Sequence, residues 1–570
     1  MMTKVRQTSS LIVGIAAAAV MIGGAAVNAD DQPRGPELAV VSNMSQGSVP
    51  GLLLAARDLG ISDFRDGVDW GRLEPAPGTF AFTDIRVRFP DEVGASGATA
   101  SLVLNWGNDL YQDGATPTQD DAIAAFGRMA GALMERFPAV DSLEIGNEFN
   151  GVNFVRGPIA DMTPQDRALA YVDLLAAAAE QARAVRPDIR ILGGATHSIA
   201  AGYIWTVLDA GAAEWMDTLA IHPYTTPPEL LVSQLAVLRR HPVAAKLPIE
   251  VTEFGSEVEA TAAGDFLMQY CQMALGGVTR AVWYPLHPRG DGFAALLTRD
   301  GQVTEVGQAW AFAAMRMEGR PVADAAIDDF SYGCRFGDDI MVLWGPERQV
   351  TVLPGVQMLN AAGRSIEAPA IISPETPLVF FDPGGAVATK LTLGPTTLIA
   401  DSFHQFAYPL DDELQADGDG FERFILTNGR ERPLRTFPGQ DRRGVPWYPY
   451  RSNANFPVTR LTQSSMVPGG RDTQPRMIVH RWTAPEAMSV DVMAQFDPSD
   501  RSKDGIAVDV LKDDAQLLSR QGKDVIEFDA TALDVVAGEQ LVFQVGPNGS
   551  ADGDLTGYRI TIRRTEPDAG

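Results

Sequence analysis

Ser142-Leu143-Glu144-Ile145-Gly146-Asn147-Glu148-Phe149-Asn150 is a short apolar run that closes on an Asn-Glu pair. A second run, Leu247-Pro248-Ile249-Glu250-Val251-Thr252-Glu253-Phe254-Gly255, also closes on a glutamate. Both have the length and composition of strands covered on two faces, as parallel strands between helices are. Outward from them, the chain from about residue 37 to about 316 repeats the pattern. Strands are expected at 38–42, 61–65, 98–105, 142–147, 189–193, 218–222, 249–253 and 281–284. Between them lie helical stretches such as 120–136, 164–185, 228–240 and 260–275, the second capped by Thr163 or Asp161. Eight strand–helix units in roughly 280 residues match an α/β fold of the (β/α)8 TIM barrel type in number and length. A doubly wound sheet is the alternative, but no Gly-rich phosphate turn follows the first strand.

The texture changes near residues 316–320. Short strands at 340–344, 350–352, 378–381 and 389–393, separated by Gly, Pro and Asn turns, predict a small all-β domain. Longer β-type runs follow at 477–482, 490–496, 506–511 and 558–562, with Asp- and Gly-rich turns, and predict a β-sandwich of jelly-roll type. The expected division is a signal peptide over 1–29, the barrel over 30–318, a small β-sandwich over 319–395 and the C-terminal sandwich over 396–570. A chain of 570 residues is too long for one core, which agrees with several domains.

A formal charge of -27, from 46 basic and 73 acidic residues, argues against nucleic acid or an anionic membrane as partner, because phosphates are repelled. Lys4 and Arg6 precede an apolar, Ala-rich stretch over 11–27, and Val27-Asn28-Ala29 offers small residues for cleavage. That pattern predicts a periplasmic or secreted protein with no membrane attachment after cleavage; an uncleaved anchor is the competing reading. Two cysteines, Cys271 and Cys334, exclude a disulfide framework, and the sequence leaves open whether they pair. Six histidines stand singly, with no HExxH pair, so no metal or other cofactor is expected. The turn Asp552-Gly553-Asp554 reads as solvated rather than as a Ca²⁺ site.

Two carboxylates at the carboxyl ends of two buried strands suit cleavage of a glycosidic bond. One must hold a proton for the leaving oxygen while the other attacks or activates water. In a barrel, Glu148 would close strand four and Glu253 strand seven, on the rim where such folds place their sites. Glu250 is expected to point into the layer between barrel and helices, and Glu257 to lie in a loop.

With Phe64-Arg65-Asp66-Gly67-Val68-Asp69-Trp70, Leu73-Glu74-Pro75 and Pro77-Gly78-Thr79-Phe80, these runs resemble the clan A glycoside hydrolases, family 39-like and cellulase-like members among them, over about half the chain. The resemblance implies a retaining enzyme acting on a β-linked poly- or oligosaccharide. It makes Glu148 the acid/base, Glu253 the nucleophile and Asn147 a ligand of the sugar 2-hydroxyl. Arg65 would keep Glu253 ionised, while deeper burial would hold a proton on Glu148. His222 and Tyr224 would stand beside the nucleophile and Trp283 would floor the sugar site, with Asn105, Trp106 and His197 as further cleft residues. The C-terminal region resembles the β-sandwich modules of exported carbohydrate enzymes, with Trp447, Tyr448 and Tyr450 as a candidate aromatic strip. Arg156, His287, Arg289 and Arg299 are rim candidates for an acidic sugar. Rival readings are a carbohydrate-binding protein without turnover and a transglycosylase using the same residues.

Overall fold

The structure, a computed structural model, describes residues 32–47, 50–410 and 420–566. The candidate signal segment lies outside the described residues. Eight parallel strands close into a barrel in sequence order: β1 Glu37–Val41, β2 Asp63–Gly67, β3 Thr99–Leu104, β4 Val140–Ile145, β5 Arg190–His197, β6 Thr218–His222, β7 Ile249–Phe254 and β8 Val278–Trp283. The helices packed around them are α1 Pro50–Asp58, α2 Trp70–Leu73, α3 Ile85–Ala95, α4 Asp120–Arg136, α5 Pro164–Val185, α6 Ala201–Asp209, α7 Pro228–Leu238, α8 Ala262–Leu275 and α9 Glu305–Arg316. Thr163 caps α5 by accepting a hydrogen bond from the Asp166 amide. Among the described residues, no helix is long and apolar enough to cross a membrane.

At β4 and β5 the backbone explains why the strand ends differ from expectation. β4 stops at Ile145 because Gly146 and Glu148 take φ of 83° and 45°, which leaves the extended region. β5 continues to His197 through a register shift between Gly193 and Thr196, where Gly194 and Ala195 have φ of 97° and 42°. Such a bulge re-aims the side chains beyond it.

Strand alternation sorts the barrel into two environments. Leu38, Val40, Phe64, Leu102, Leu143, Ile191, Leu219 and Val251 belong to the large apolar core shared with the helices. The intervening residues include Asp63, Arg65, Glu144, Glu250, Thr252 and Arg280. Glu250 does not enter the barrel–helix layer as expected. It meets Arg280 on β8 at 3.3 Å and Arg190 on β5 at 2.9 Å, and Arg280 reaches Asp63 on β2 at 2.6 Å. The contacts to β5 and β2 each skip a strand, which is geometry available only across the barrel interior. Trp283 also departs from expectation, being fully buried on the outer side, edge-on to Phe254 and Phe266, with Nε1 donating to the Ala294 carbonyl. It cannot floor a sugar site; Tyr284, one residue on, has the inward parity of Arg280 and Val282.

Beyond α9 the strands pair antiparallel. One five-stranded sheet holds Val322–Asp324, Tyr332–Phe336, Ile340–Trp344, Gln357–Leu359 and Leu378–Phe381, and a three-stranded sheet holds Arg348–Val352, Ala370–Ile372 and Leu391–Leu393. Cys271 on α8 and Cys334 in this first sheet form a disulfide. Two larger sheets follow, their facing sides sharing buried residues such as Ile478, Val508, Val492, Phe496 and Ile560. Met488–Pro498 shows the alternation of a half-buried strand, with Val490, Val492, Ala494 and Phe496 inside. Asp554 is not a solvated turn residue: it is wholly buried and accepts a hydrogen bond from Ser502 at 2.6 Å.

Candidate active site

Arg65 organises the carboxyl ends of the strands. Its Nε and Nη2 donate to the two oxygens of Glu144 at 2.6 and 2.9 Å, Nη1 donates to Glu253 Oε1 at 2.5 Å, and Nη2 also donates to Asn147 Oδ1 at 3.1 Å. A planar guanidinium can serve three acceptors in this way only if all three are held in its plane. The bond to Asn147 fixes that amide's orientation, with Nδ2 as its remaining donor. Asn147 is held from the other side as well, its backbone amide donating to Asn105 Oδ1 at 2.8 Å.

His222 stands between the carboxylates and is fully buried. Thr252 donates its hydroxyl to Glu144 at 3.0 Å, so its oxygen accepts from His222 Nε2, 3.0 Å away. That leaves Nδ1, at 3.2 Å from Glu148 Oε1 and 3.9 Å from Glu253 Oε2. Tyr224 donates to Glu253 Oε2 at 3.1 Å. The ligand-capable atoms of Glu148, His222 and Glu253 all lie within 4.8 Å of one another. The fold thus brings together Glu148, Glu253, Asn147, Arg65, His222, Tyr224 and Asn105, while Trp283 stays outside.

Burial does not separate the two glutamates, whose side chains are 11% and 14% exposed for Glu148 and Glu253. Charge does, because Arg65 bonds Glu253 directly. Burial alone would raise the Glu253 carboxyl, but the charges of His222 and Arg65 and the Arg65 hydrogen bond hold it below the ordinary range. Glu144 is likewise opposed by burial, yet Arg65 and His222 bring it down to about 2. For His222, burial disfavours the cation, but the nearby carboxylates of Glu253, Glu144 and Glu148 push it up to about 9.

Glu148 sits in the left-handed backbone region at φ 45°, which costs about 1–3 kcal/mol for a residue other than glycine. Its amide donates to the Ala195 carbonyl at 2.6 Å and its carbonyl accepts from the Gly151 amide at 2.8 Å, which hold the turn. Asn150 ties this turn to the β5 bulge by accepting from the His197 amide at 3.0 Å.

A cavity of about 480 Å³ opens beside Glu253, lined among others by Arg65, Asp66, Asn105, Trp106, Asn147, Tyr284, Arg156 and Arg289. Arg156 lies over the Trp106 ring at 4.8 Å and Arg289 over Tyr284 at 5.4 Å. His287 and Arg299 do not line it; the His287 Nε2 lies 3.3 Å from the Arg299 backbone carbonyl. Burial pushes the Asp66 carboxyl up, against hydrogen bonds from Ser42 and Ser45.

The C-terminal region reaches this rim. Gln440 and Asn150 exchange hydrogen bonds of 2.7 and 2.8 Å, and Gly202 donates to the Gly439 carbonyl at 3.0 Å. Of the candidate aromatic strip, only Trp447 is exposed (37%); Tyr450 is fully buried and donates to Asp441, and Tyr448 is half-buried. The three do not form a continuous surface.

Sequence reasoning assigned no role to Glu144, Thr252, Tyr284 or Gln440. Alternation was the available signal for the first three: Ser142 and Glu144 share a parity on β4, as do Glu250 and Thr252 on β7. Gln440 carries no such signal, because its contact depends on docking between distant segments.

No family model matches this chain, and no curated protein matches it in sequence. Solved structures do resemble it. A family 39 glycoside hydrolase from Bacteroides cellulosilyticus WH2 is 18% identical with a TM-score of 0.51, over 61% of this chain and 81% of that one. A family 30 endoxylanase from Clostridium papyrosolvens C71 is 14% identical with a TM-score of 0.44, over 61% and 96%. A family 39 β-xylosidase from Caulobacter crescentus is 15% identical with a TM-score of 0.43, over 62% and 97%. The closed parallel barrel followed by antiparallel sheets is therefore a fold this chain shares with a family 39 glycoside hydrolase.

Proposed function

We propose that the protein is an exported retaining glycoside hydrolase that cleaves a β-linked poly- or oligosaccharide by double displacement. The observation that carries this reading is the approach of Glu148 and Glu253 oxygens to within 4.8 Å, with Arg65 bonded to Glu253 alone of the two. Retaining enzymes hold their carboxyl groups about 5–5.5 Å apart, whereas inverting ones leave room for a water. Glu253, kept ionised, attacks the anomeric carbon; the bond to the leaving oxygen breaks as Glu148 protonates it. Water then enters, gives its proton to Glu148 and displaces Glu253 from the sugar.

The proton for the first step has a store. With His222 Nε2 donating to Thr252, the 3.2 Å contact between Nδ1 and Glu148 Oε1 is a hydrogen bond before the reaction, holding one proton that either partner can carry. Moving it onto Glu148 leaves neutral His222 and an acid poised for the leaving group. Asn147 and Tyr224 orient the sugar and the nucleophile, and no cofactor enters the scheme.

A panel of 2-deoxy-2-fluoro-β-glycosyl fluorides tests the assignment. The matching sugar is expected to add its mass covalently to the peptide bearing Glu253. Hydrolysis with inversion, or full activity in Glu253→Gln, overturns it.

A further inference from the structure

Trp447 belongs to the C-terminal β region, yet it stands at the catalytic rim. It lies edge-on to His197 at 5.3 Å, and His197 in turn lies 6.2 Å from Tyr224, which bonds the nucleophile. A Cβ placed on Gly151 would come within 3.2 Å of the Trp447 ring and 3.4 Å of the Glu148 carbonyl. The indole is therefore within one residue's width of the turn that carries the acid/base. The Gln440–Asn150 exchange anchors its loop on that same turn. Despite these anchors, 37% of Trp447 is open to solvent. A large apolar ring fixed in place and left uncovered has unused stacking surface.

The side of the site matters. The cavity beside Glu253 is lined from β1, β2, β3 and the loops after β4 and β8, and neither Glu148 nor Trp447 is among its walls. Trp447 instead flanks Glu148, and the general acid stands on the side to which the leaving group departs. We propose that Trp447 is the platform of a leaving-group subsite, stacking on the C–H face of the sugar that Glu148 releases. The cavity lined by Asp66, Trp106 and Tyr284 then holds the sugar that Glu253 attacks. This rests on the hydrolase reading above, and it makes the C-terminal region a part of the cleft rather than a separate sugar-binding module.

The test compares leaving groups on one glycone. Xylosyl, glucosyl, mannosyl and galactosyl β-fluorides are screened, and the sugar that the wild type hydrolyses is also supplied as its β-linked disaccharide. Fluoride is too small to reach Trp447, whereas the second sugar of the disaccharide sits on it. Trp447→Leu is expected to lower kcat/KM about ten-fold on the disaccharide and leave the fluoride unchanged, with Trp447→Phe restoring most of the loss. An equal fall on both substrates marks a merely structural role, support of the Gly151 turn by the indole tip, and overturns the proposal. No fall on either substrate also overturns it while leaving the hydrolase reading intact. Failure of the wild type on every fluoride and to release sugar from a panel of neutral and acidic β-linked polysaccharides removes that reading, and the subsite with it.

Discussion

Inside the barrel, the charges at the amino ends of the strands are Asp63, Glu250, Arg190 and Arg280: two carboxylates against two guanidinium groups, each carboxylate bonded to an arginine. At the carboxyl ends, Glu144, Glu148 and Glu253 face one guanidinium, Arg65, and one imidazole, His222. At the centre of the lower set Glu250 and Arg280 are closed off, their side chains each 1% exposed, while Asp63 and Arg190 reach solvent below; the upper set opens to the cavity through Glu253. Similar side chains thus give a structural brace in one layer and, in the function proposed above, the reactive groups in the other. The difference is a surplus carboxylate. Three acids against two bases leave one carboxyl without a cation of its own, and the cavity beside Glu253 gives a substrate access to the set.

The sharpest way to break this contrast is to remove Glu253, the proposed nucleophile. Glu253→Gln is expected to lower kcat by about 10⁴-fold or more on the sugar that labels the enzyme. Retention of a tenth of wild-type turnover would show that the upper layer is only another brace.

Arg65→Met comes next. It leaves Glu144 and Glu253 buried without their cation, so unfolding free energy is expected to fall by about 3–5 kcal/mol. It also removes a cause of the lowered Glu253 carboxyl. The acidic limb of kcat/KM, expected below the ordinary value of 4.5 in the wild type, moves upward. Denaturant titration and a pH–rate profile read the two effects separately, and an unmoved limb contradicts the role given to Arg65.

Arg280→Met probes the lower layer. A comparable stability loss of about 3–5 kcal/mol is expected, with the acidic limb where it was. A displaced limb would mean that the layers are coupled rather than distinct.

The smallest effect sharpens the role of His222. Its folded value of about 9 stands above the ordinary 6.5, so its contribution to stability is full below pH 6.5 and fades as pH rises through 9. That loss is on the order of 3 kcal/mol. Denaturation measured from pH 6 to 10 is expected to show this slope in the wild type and not in His222→Asn; parallel curves would show that His222 is not charged in the fold.

Much of this was legible along the chain. Runs of β-branched and aliphatic residues at strand length, interleaved with Ala-rich amphipathic helices, announce the barrel because each segment's own periodicity carries the signal. Asn147-Glu148 and Glu253 stand at strand ends, and strand ends in a barrel share one rim. Alternation, applied residue by residue, also contains the inward parity of Glu144 and Tyr284 and the outward parity of Trp283, which a reading by residue type misplaces.

What alternation cannot hold is contact across the fold. Whether Cys271 reaches Cys334, whether Gln440 meets Asn150, and whether Trp447 lies against the turn of Glu148 are matters of docking between surfaces built from distant segments. The sequence determined which groups the strands deliver to the rim. Only the tertiary structure decided that Arg65 also holds Glu144 and that His222 meets Glu148, because burial and charge fall off with distance in space, and distance along the chain says nothing of that.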